Sequence, residues 1–297
     1  MKASSRLASV AALFLPLLLS GCFMLSTTRR LPVPKAPAIT QTVAPEELVA
    51  RLNQRWAALD SLNATVEIQA SVMKSKEGLA KDYTTIRGII LMRKPEMLRV
   101  YGRVPVIGTR AFDMVSDGTN FTLYIPSKNK AVKGSNSLKK KSFNQLENMR
   151  PGFFFDAMVV RGLEPDDFYS VIADTETLED AAKKHLYTVP EYILSITRRK
   201  PESQKETPVR VVTFTRDDLQ PYQQDIYDSE GNLETQVFYT GYRDFGSSLY
   251  PSTVTIKRPL EEYQIVLTVD SVKENQQLTD DQFVVKIPEG TETQKLE

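Results

Sequence analysis

The sequence predicts a mainly β fold with a few helices, built on one highly curved antiparallel sheet or barrel of about eleven strands. Three observations carry this expectation. Segment after segment alternates apolar and polar residues with period 2, the signature of half-buried strands. Short turn signals separate the segments, such as Asp117-Gly118 and Asp228-Ser229-Glu230-Gly231-Asn232. No repeat of 20–50 residues is evident, so neither a solenoid nor a propeller is indicated. With 41% hydrophobic residues in 297, the chain can bury a large core.

The first segment reads as an address and an anchor. Lys2 and Arg6 precede an apolar stretch, residues 7–19, interrupted by Ser9 and Pro16. This stretch is shorter than the roughly 20 residues of a transmembrane helix and fits a signal peptide. It closes with Leu19-Ser20-Gly21-Cys22, which resembles the bacterial lipobox, where a cysteine thiol receives a diacylglycerol before cleavage. Cys22 is therefore the expected lipid-attachment residue. By analogy with bacterial sorting, Phe23 in place of an aspartate points to the outer membrane. Residues 1–21 are read as the signal peptide, 22–45 as the lipidated cysteine with a Pro-rich tether, and 46–297 as the folded domain. Pro32, Pro34, Pro37 and Pro45 keep the tether extended, with a reach of roughly 60–70 Å.

Within the domain, Leu48, Leu52, Trp56 and Leu59 form one apolar stripe on a helix that opens with Pro45-Glu46-Glu47. Val66, Ile68, Ala70 and Val72 then alternate with polar residues as the first strand. Residues 74–82 read as a polar turn. Strands follow at 84–93, 97–103, 109–116 and 121–125, divided by Pro95, by Pro105 to Gly108 and by Asp117-Gly118. Residues 142–148 and the strongly apolar 151–162 read as short helices, and 164–180 as an acidic, loop-like stretch with local helix. Strands resume at 186–199, 209–216, 221–227, 233–242, 252–257 and 263–273.

Composition excludes most chemistry. One His and one Cys cannot form the usual zinc sites, which take three or four N or S ligands. No nucleophile has an identifiable base, and there is neither a phosphate-binding Gly loop nor a dinucleotide fingerprint. The net charge of +1 gives no general attraction to nucleic acid. No catalytic residue, metal ligand or cofactor is assigned. Asp166-Asp167, Asp217-Asp218 and Asp280-Asp281 lack the spaced oxygens of a calcium loop and read as turns and caps. Lys128, Lys130, Lys133 and Lys139 to Lys141 form a basic cluster, read first as a solvated loop and second as a contact for anionic headgroups.

Three stretches carry a family resemblance. Gly88-Ile89-Ile90-Leu91-Met92-Arg93-Lys94-Pro95-Glu96-Met97-Leu98-Arg99-Val100 is similar to the second and third strands of the LolA/LolB superfamily of lipoprotein carriers and receptors. Met114-Val115-Ser116-Asp117-Gly118-Thr119-Asn120-Phe121-Thr122-Leu123-Tyr124-Ile125-Pro126 resembles that family's next hairpin. Val272-Lys273-Glu274-Asn275, Leu278-Thr279-Asp280, Phe283 and Pro288-Glu289-Gly290 resemble its closing segment. Only about 166–208 lies outside the likeness.

The resemblance, closer to the lipid-anchored LolB type, implies a half-barrel with a helical lid and an apolar cavity. It also implies an outer-membrane lipoprotein, facing the periplasm, that binds acyl chains and helps receive and insert lipoproteins. The expected cavity wall comprises Val66, Ile68, Leu91, Leu98, Val100, Phe112, Met114, Phe121 and Leu123, with Phe154 and Met158 under the lid. The plainer alternative is an interior filled by its own side chains. Val106 and Ile107, between Pro105 and Gly108, occupy the place of the receptor's protruding apolar loop, or else fold back onto the core. The carrier type has an arginine directly before the turn proline. Here Lys94 stands before Pro95, and Arg93 points to the other face. Implied partners are acyl chains of lipoproteins or other lipids, the membrane through the lipid anchor, and a periplasmic LolA-like carrier, with the protein a monomer. The alternatives are a protein-interaction module on the same fold and a carrier of a different hydrophobic lipid.

Overall fold

The computed structural model describes residues 40–74, 78–136, 151–180, 185–199, 205–246 and 248–296. Cys22, the signal segment, most of the tether, Lys139 to Lys141 and the expected helix at 142–148 lie outside these residues. The chain divides into two compact units, residues 36–176 with 189–297, and residues 1–35 with 177–188. Of the second unit, the described part is the facing ends of two strands. The first unit holds both described α-helices and every other strand.

Helix α1 (Pro45–Ala58) forms where the Leu48–Leu52 stripe predicts it, with Pro45 in the first turn and Glu46 and Glu47 at the positive end of its dipole. Arg51 pairs with Glu47 one turn back at 2.7 Å. Asn275 holds the other end of the helix. Its Nδ2 donates to the Ala58 carbonyl at 2.8 Å, and its Oδ1 accepts from the Asp60 amide at 2.7 Å. Asn275 itself sits in the left-handed region, at φ 56°, which asparagine tolerates better than most residues.

Fifteen strands form one sheet, antiparallel except at one end. They are β1 (Ser61–Lys74), β2 (Leu79–Asp82), β3 (Ile86–Arg93), β4 (Met97–Arg103), β5 (Arg110–Ser116), β6 (Asn120–Ile125), β7 (Lys130–Ser135), β8 (Asp167–Asp180), β9 (His185–Arg199), β10 (Glu206–Thr215), β11 (Pro221–Tyr227), β12 (Leu233–Asp244), β13 (Leu249–Arg258), β14 (Tyr263–Glu274) and β15 (Glu292–Lys295). The spatial order is β15-β7-β6-β5-β4-β3-β1-β14-β13-β12-β11-β10-β9-β8, with β2 paired to β1. Two meanders are thus joined through β1 and β14, where Val66 faces Val269 and Ile68 faces Leu267.

The eleven expected strands coincide with β1, β3 to β6 and β9 to β14, and four strands correct the expectation. The turn at 74–82 contains β2, the loop after Pro126 contains β7, and the tail contains β15, which pairs parallel with β7. The acidic stretch expected as loop with local helix is β8. β2, β8 and β15 lack clean alternation because they lie near an edge or face solvent on both sides, whereas β7 buries Ala131 and Val132 within a lysine-rich stretch. Helix α2 (Pro151–Met158) is shorter than the expected 151–162.

Most of the core lies on one sheet face. Leu62, Ala64, Val66, Ile90, Met92, Leu98, Val100 and Met114 pack with Val254, Ile256, Ile265 and Leu267 around Phe153, Phe154, Phe155 and Met158 of α2. Gly88 and Gly102 face each other across β3 and β4. A Cβ on Gly88 would lie 2.4 Å from Ile68 Cδ1, so the glycine is what admits that side chain. A second cluster packs Leu48, Val49 and Leu52 of α1 on Tyr192, Leu194, Ile196, Val212 and Phe214.

On the opposite face, Leu91 is covered by Leu278 and Phe283. Arginines fasten this C-terminal segment. Arg93 donates to the Leu278 carbonyl at 2.7 Å and pairs with Asp280, and Arg99 donates to the Gln282 carbonyl at 2.9 Å. Arg99 also grips the fully buried Asp113 with two bonds, 2.9 and 2.7 Å, and Arg110 adds a third at 2.7 Å. A buried carboxylate is tolerable only when matched in this way. The acid pairs of the sequence sit in turns and caps: Asp218 accepts from the Gln220 amide, and Asp280-Asp281 opens a short 3-10 turn capped by Thr279 and Gln282.

Asp113→Ala should cost about 3 kcal/mol of folding free energy, read from urea midpoints, because it strands the arginines converging on a buried site. A second expectation concerns pH. Burial pushes the Glu191 carboxyl up, although the Tyr222 hydroxyl donates to it. The folded state therefore holds this proton more tightly than the unfolded chain does. Stability should fall as pH rises from the ordinary glutamate range through the raised value. Glu191→Gln should flatten that fall in urea melts taken between about pH 4 and 7.

Candidate functional site

The structure gathers most of the residues expected to line a cavity, and fills the space between them. Val66, Ile68, Leu98, Val100, Met114, Phe121 and Leu123 are buried on one face, with Phe112 packed at the margin. The pairing Val100–Met114–Leu123 runs straight across three strands. Phe154 and Met158 belong to the same cluster, each about 1% exposed. Phe153 stacks on Phe154 with ring centroids 4.3 Å apart and meets Tyr263 at 6.0 Å. Leu91 does not join them. It points to the opposite face, against Leu278 and Phe283. The run Ile89-Ile90-Leu91-Met92 is apolar on both faces, so its inward parity was not legible from alternation.

An open apolar pocket of about 310 Å³ lies elsewhere, between α1 and the strands from β10 to β14. Leu52, Trp56 and Leu59 form one wall, Phe214 and Leu219 another, and Met158 reaches it from α2. Of the residues expected from the sequence, Met158 alone lines this pocket. The volume is at the lower end of the roughly 300–1,000 Å³ typical of ligand pockets. Arg51 and Arg55 stand on the helix side and Asp218 and Glu274 on the sheet side. Arg55 donates to Gln220 Oε1 at 2.8 Å and to the Leu249 carbonyl at 3.0 Å, bridging α1 to the sheet.

Three tyrosines that sequence reasoning missed line the pocket: Tyr239, Tyr242 and Tyr250. Each hydroxyl is engaged. Tyr250 donates to the Met158 carbonyl at 2.5 Å, Tyr242 donates to the Pro221 carbonyl at 2.7 Å, and Tyr239 accepts from Gln224 Nε2 at 3.1 Å. Burial pushes all three hydroxyls well above the ordinary tyrosine value, so they stay protonated. They serve as walls with satisfied polar ends and not as bases. For Tyr239 and Tyr242 the signal in the sequence was the intervening Gly241, which the structure places at φ 65°. Such a glycine interrupts strand alternation and lets both rings face one site.

Beneath the helix, Lys94 takes the position before the turn proline. Its ammonium lies 4.0 Å from the Trp56 ring centroid and donates to the Trp56 carbonyl, while burial lowers its pKa. Arg93, one residue earlier, serves the opposite face, as alternation requires. Trp56 meets Phe155 edge-on at 6.4 Å, so α1 and α2 touch through aromatic rings.

The second candidate feature is the loop between β4 and β5. Val104 N–H donates to the Thr109 carbonyl at 2.9 Å, and Gly108 N–H to the Val104 carbonyl at 3.0 Å. The turn so closed leaves Val106 fully exposed and Ile107 73% exposed. It does not fold back onto the core. Val106 has φ 68°, a region that costs a β-branched residue about 1–3 kcal/mol.

No family profile matches the chain, and no curated protein matches it either. Solved structures similar to it include a LolA superfamily protein from Nitrosomonas europaea, at 15% identity and TM-score 0.48, over 82% of this chain and 99% of that one. A DUF1329 family protein from Desulfovibrio piger matches at 17% identity and TM-score 0.48, over 80% and 95% of the two chains. A domain described as a putative outer membrane lipoprotein-sorting protein, from Vibrio parahaemolyticus, matches at 12% identity and TM-score 0.48, over 80% and 94%.

The bond between Tyr250 and the last turn of α2 generates a prediction. Tyr250→Phe should destabilise the fold by about 1–3 kcal/mol, measured by chemical denaturation, because it leaves a buried carbonyl without a donor.

Proposed function

We propose that this protein is an outer-membrane lipoprotein, anchored through Cys22 and facing the periplasm, that binds acyl chains and helps receive and insert lipoproteins. The observation that carries the reading is the Val106–Ile107 tip. Two branched apolar side chains stand in solvent on a closed turn, at a backbone angle unfavourable to valine. Isolated exposed apolar residues are ordinary, but a fully exposed valine at a strained backbone angle, beside a largely exposed isoleucine, calls for an apolar counterpart to repay it. A bilayer surface or an acyl chain supplies one. The lipobox-like Leu19-Ser20-Gly21-Cys22 supports a place at a membrane, and the resemblance of the 88–100 and 114–126 stretches to the LolA/LolB superfamily supports the same reading.

The physical task is severe. A chain of about 15 methylenes exposed to water costs roughly 12 kcal/mol, at about 0.8 kcal/mol per CH₂. In this reading the pocket beside α1 receives part of that chain, between Leu52, Trp56, Phe214 and Leu219. The remainder lies against the sheet face now occupied by Phe153, Phe154 and Phe155, so loading displaces α2 from Val66, Ile68, Val100, Met114 and Leu123. A LolA-like periplasmic carrier is the donor, and a preference of about 1.4 kcal/mol for the downstream site biases exchange tenfold. The role is binding and handover, with no covalent step.

Displacement of a fluorescent fatty acid from the full chain tests binding, and transfer of a lipoprotein into outer-membrane vesicles tests delivery. Val106→Glu and Ile107→Glu should each cut delivery by about tenfold while leaving displacement within about twofold. Undiminished delivery by both variants would remove the tip from the mechanism. Failure of any acyl ligand to displace the probe would remove the binding role.

A further inference from the structure

Strand β8 ends the sheet and is hydrogen-bonded, among the described residues, to β9 alone. Residues 167–176 form its part within the larger unit. The strand runs for 14 residues, where strands commonly have about 5–6. Natural edges are normally kept short or blocked by lysine, proline or a bulge. The opposite end of the sheet obeys that rule: β15 has four residues, Glu292, Thr293, Gln294 and Lys295, all polar. Residues 167–176 contain neither lysine nor proline. Instead they expose Phe168 at 47%, Tyr169 at 40% and Ile172 at 57%, on both faces of the strand.

Charge narrows the occupant. Residues 166–176 hold Asp166, Asp167, Asp174 and Glu176 and no basic residue. Arg198 answers Asp167 at 2.8 Å, and the neighbouring Arg199 is engaged by Glu206 and by the Phe168 ring. Asp166, Asp174 and Glu176 are exposed and form no ion pair among the described residues. Glu176 accepts from the Tyr222 hydroxyl, at 3.2 Å. A second copy of this strand would set acids against acids across the new ladder, which is destabilising.

We propose that the outer edge of β8, over residues 167–176, is a docking site for an extended, basic segment of another protein, which adds to the sheet as a further strand. Its backbone pairs with the outer row of β8, its cationic side chains meet Asp166, Asp174 and Glu176 beside Phe168 and Ile172, and its intervening apolar residues lie on the other face, beside Tyr169 and Val171. This site is separate from the acyl pocket and stands without it.

Fluorescence anisotropy of a labelled peptide alternating Lys with Val or Thr, titrated with the full chain, tests the inference. Saturable binding is expected, weakening as salt is raised. A peptide of the same sequence N-methylated at alternate residues keeps its charge but cannot pair, and should bind at least about tenfold more weakly. Asp166→Lys combined with Asp174→Lys should weaken binding by a similar factor, with circular dichroism reporting that the fold is retained. No saturable binding would overturn the proposal. So would equal binding of the N-methylated peptide, which makes the contact one of charge alone. Self-association of the chain that the double variant abolishes would overturn it too, by giving the edge to a second copy.

Discussion

The structure depends on the pairing of β1 with β14, strands about 200 residues apart in the chain. On its other side β1 pairs with β3, so this one strand joins an early meander to a late one and makes a single sheet of them. The register sets Val66 and Ile68 beside Val269 and Leu267 and so aligns the buried faces of both halves. It also carries Asn275, at the end of β14, to the last turn of α1, where it satisfies a helix carbonyl that would otherwise have no donor. The pocket between α1 and the late strands exists because these ends meet. A shift by one residue would turn every side chain of β1 to the wrong face.

Apolar mass is divided between filling the fold and leaving room in it. Over the early strands, α2 inserts three consecutive phenylalanines and closes the space. Beside α1 the bulk is absent, and tyrosines whose hydroxyls are already bonded line an open site. Both regions touch α2, through Phe153 to Phe155 on one side and Met158 on the other. Movement of this short helix would alter both at once. The opposite face is quieter: Arg93 and Arg99 hold the C-terminal segment over Leu91, and Asp113 concentrates charge there, away from the apolar side.

Much of this was legible in the sequence. Strands with one wet and one dry face announced themselves by alternation, as in Val66 to Val72 and Phe121 to Ile125. The helix stripe from Leu48 was equally clear, and so was the division of Arg93 and Lys94 between two faces. Strands without that contrast were not legible. β8 and β15 are polar or exposed on both sides, and β7 lies in a lysine-rich stretch, so nothing in their composition reports the neighbour that pairs with them. Leu91 failed for the opposite reason, being buried whichever way it points.

By itself, then, the sequence determined element type wherever burial is one-sided, and a composition with one His and one Cys. These are local properties, written in residue type and period. Tertiary structure alone decided which apolar residues would be sealed by α2 and which would face an open pocket, that Val106 and Ile107 would stand clear of the core, and that β8 would end the sheet among the described residues. Each of these depends on partners distant in the chain. Burial belongs to the surroundings of a residue, and hydrophobicity alone does not distinguish a wall from a filling.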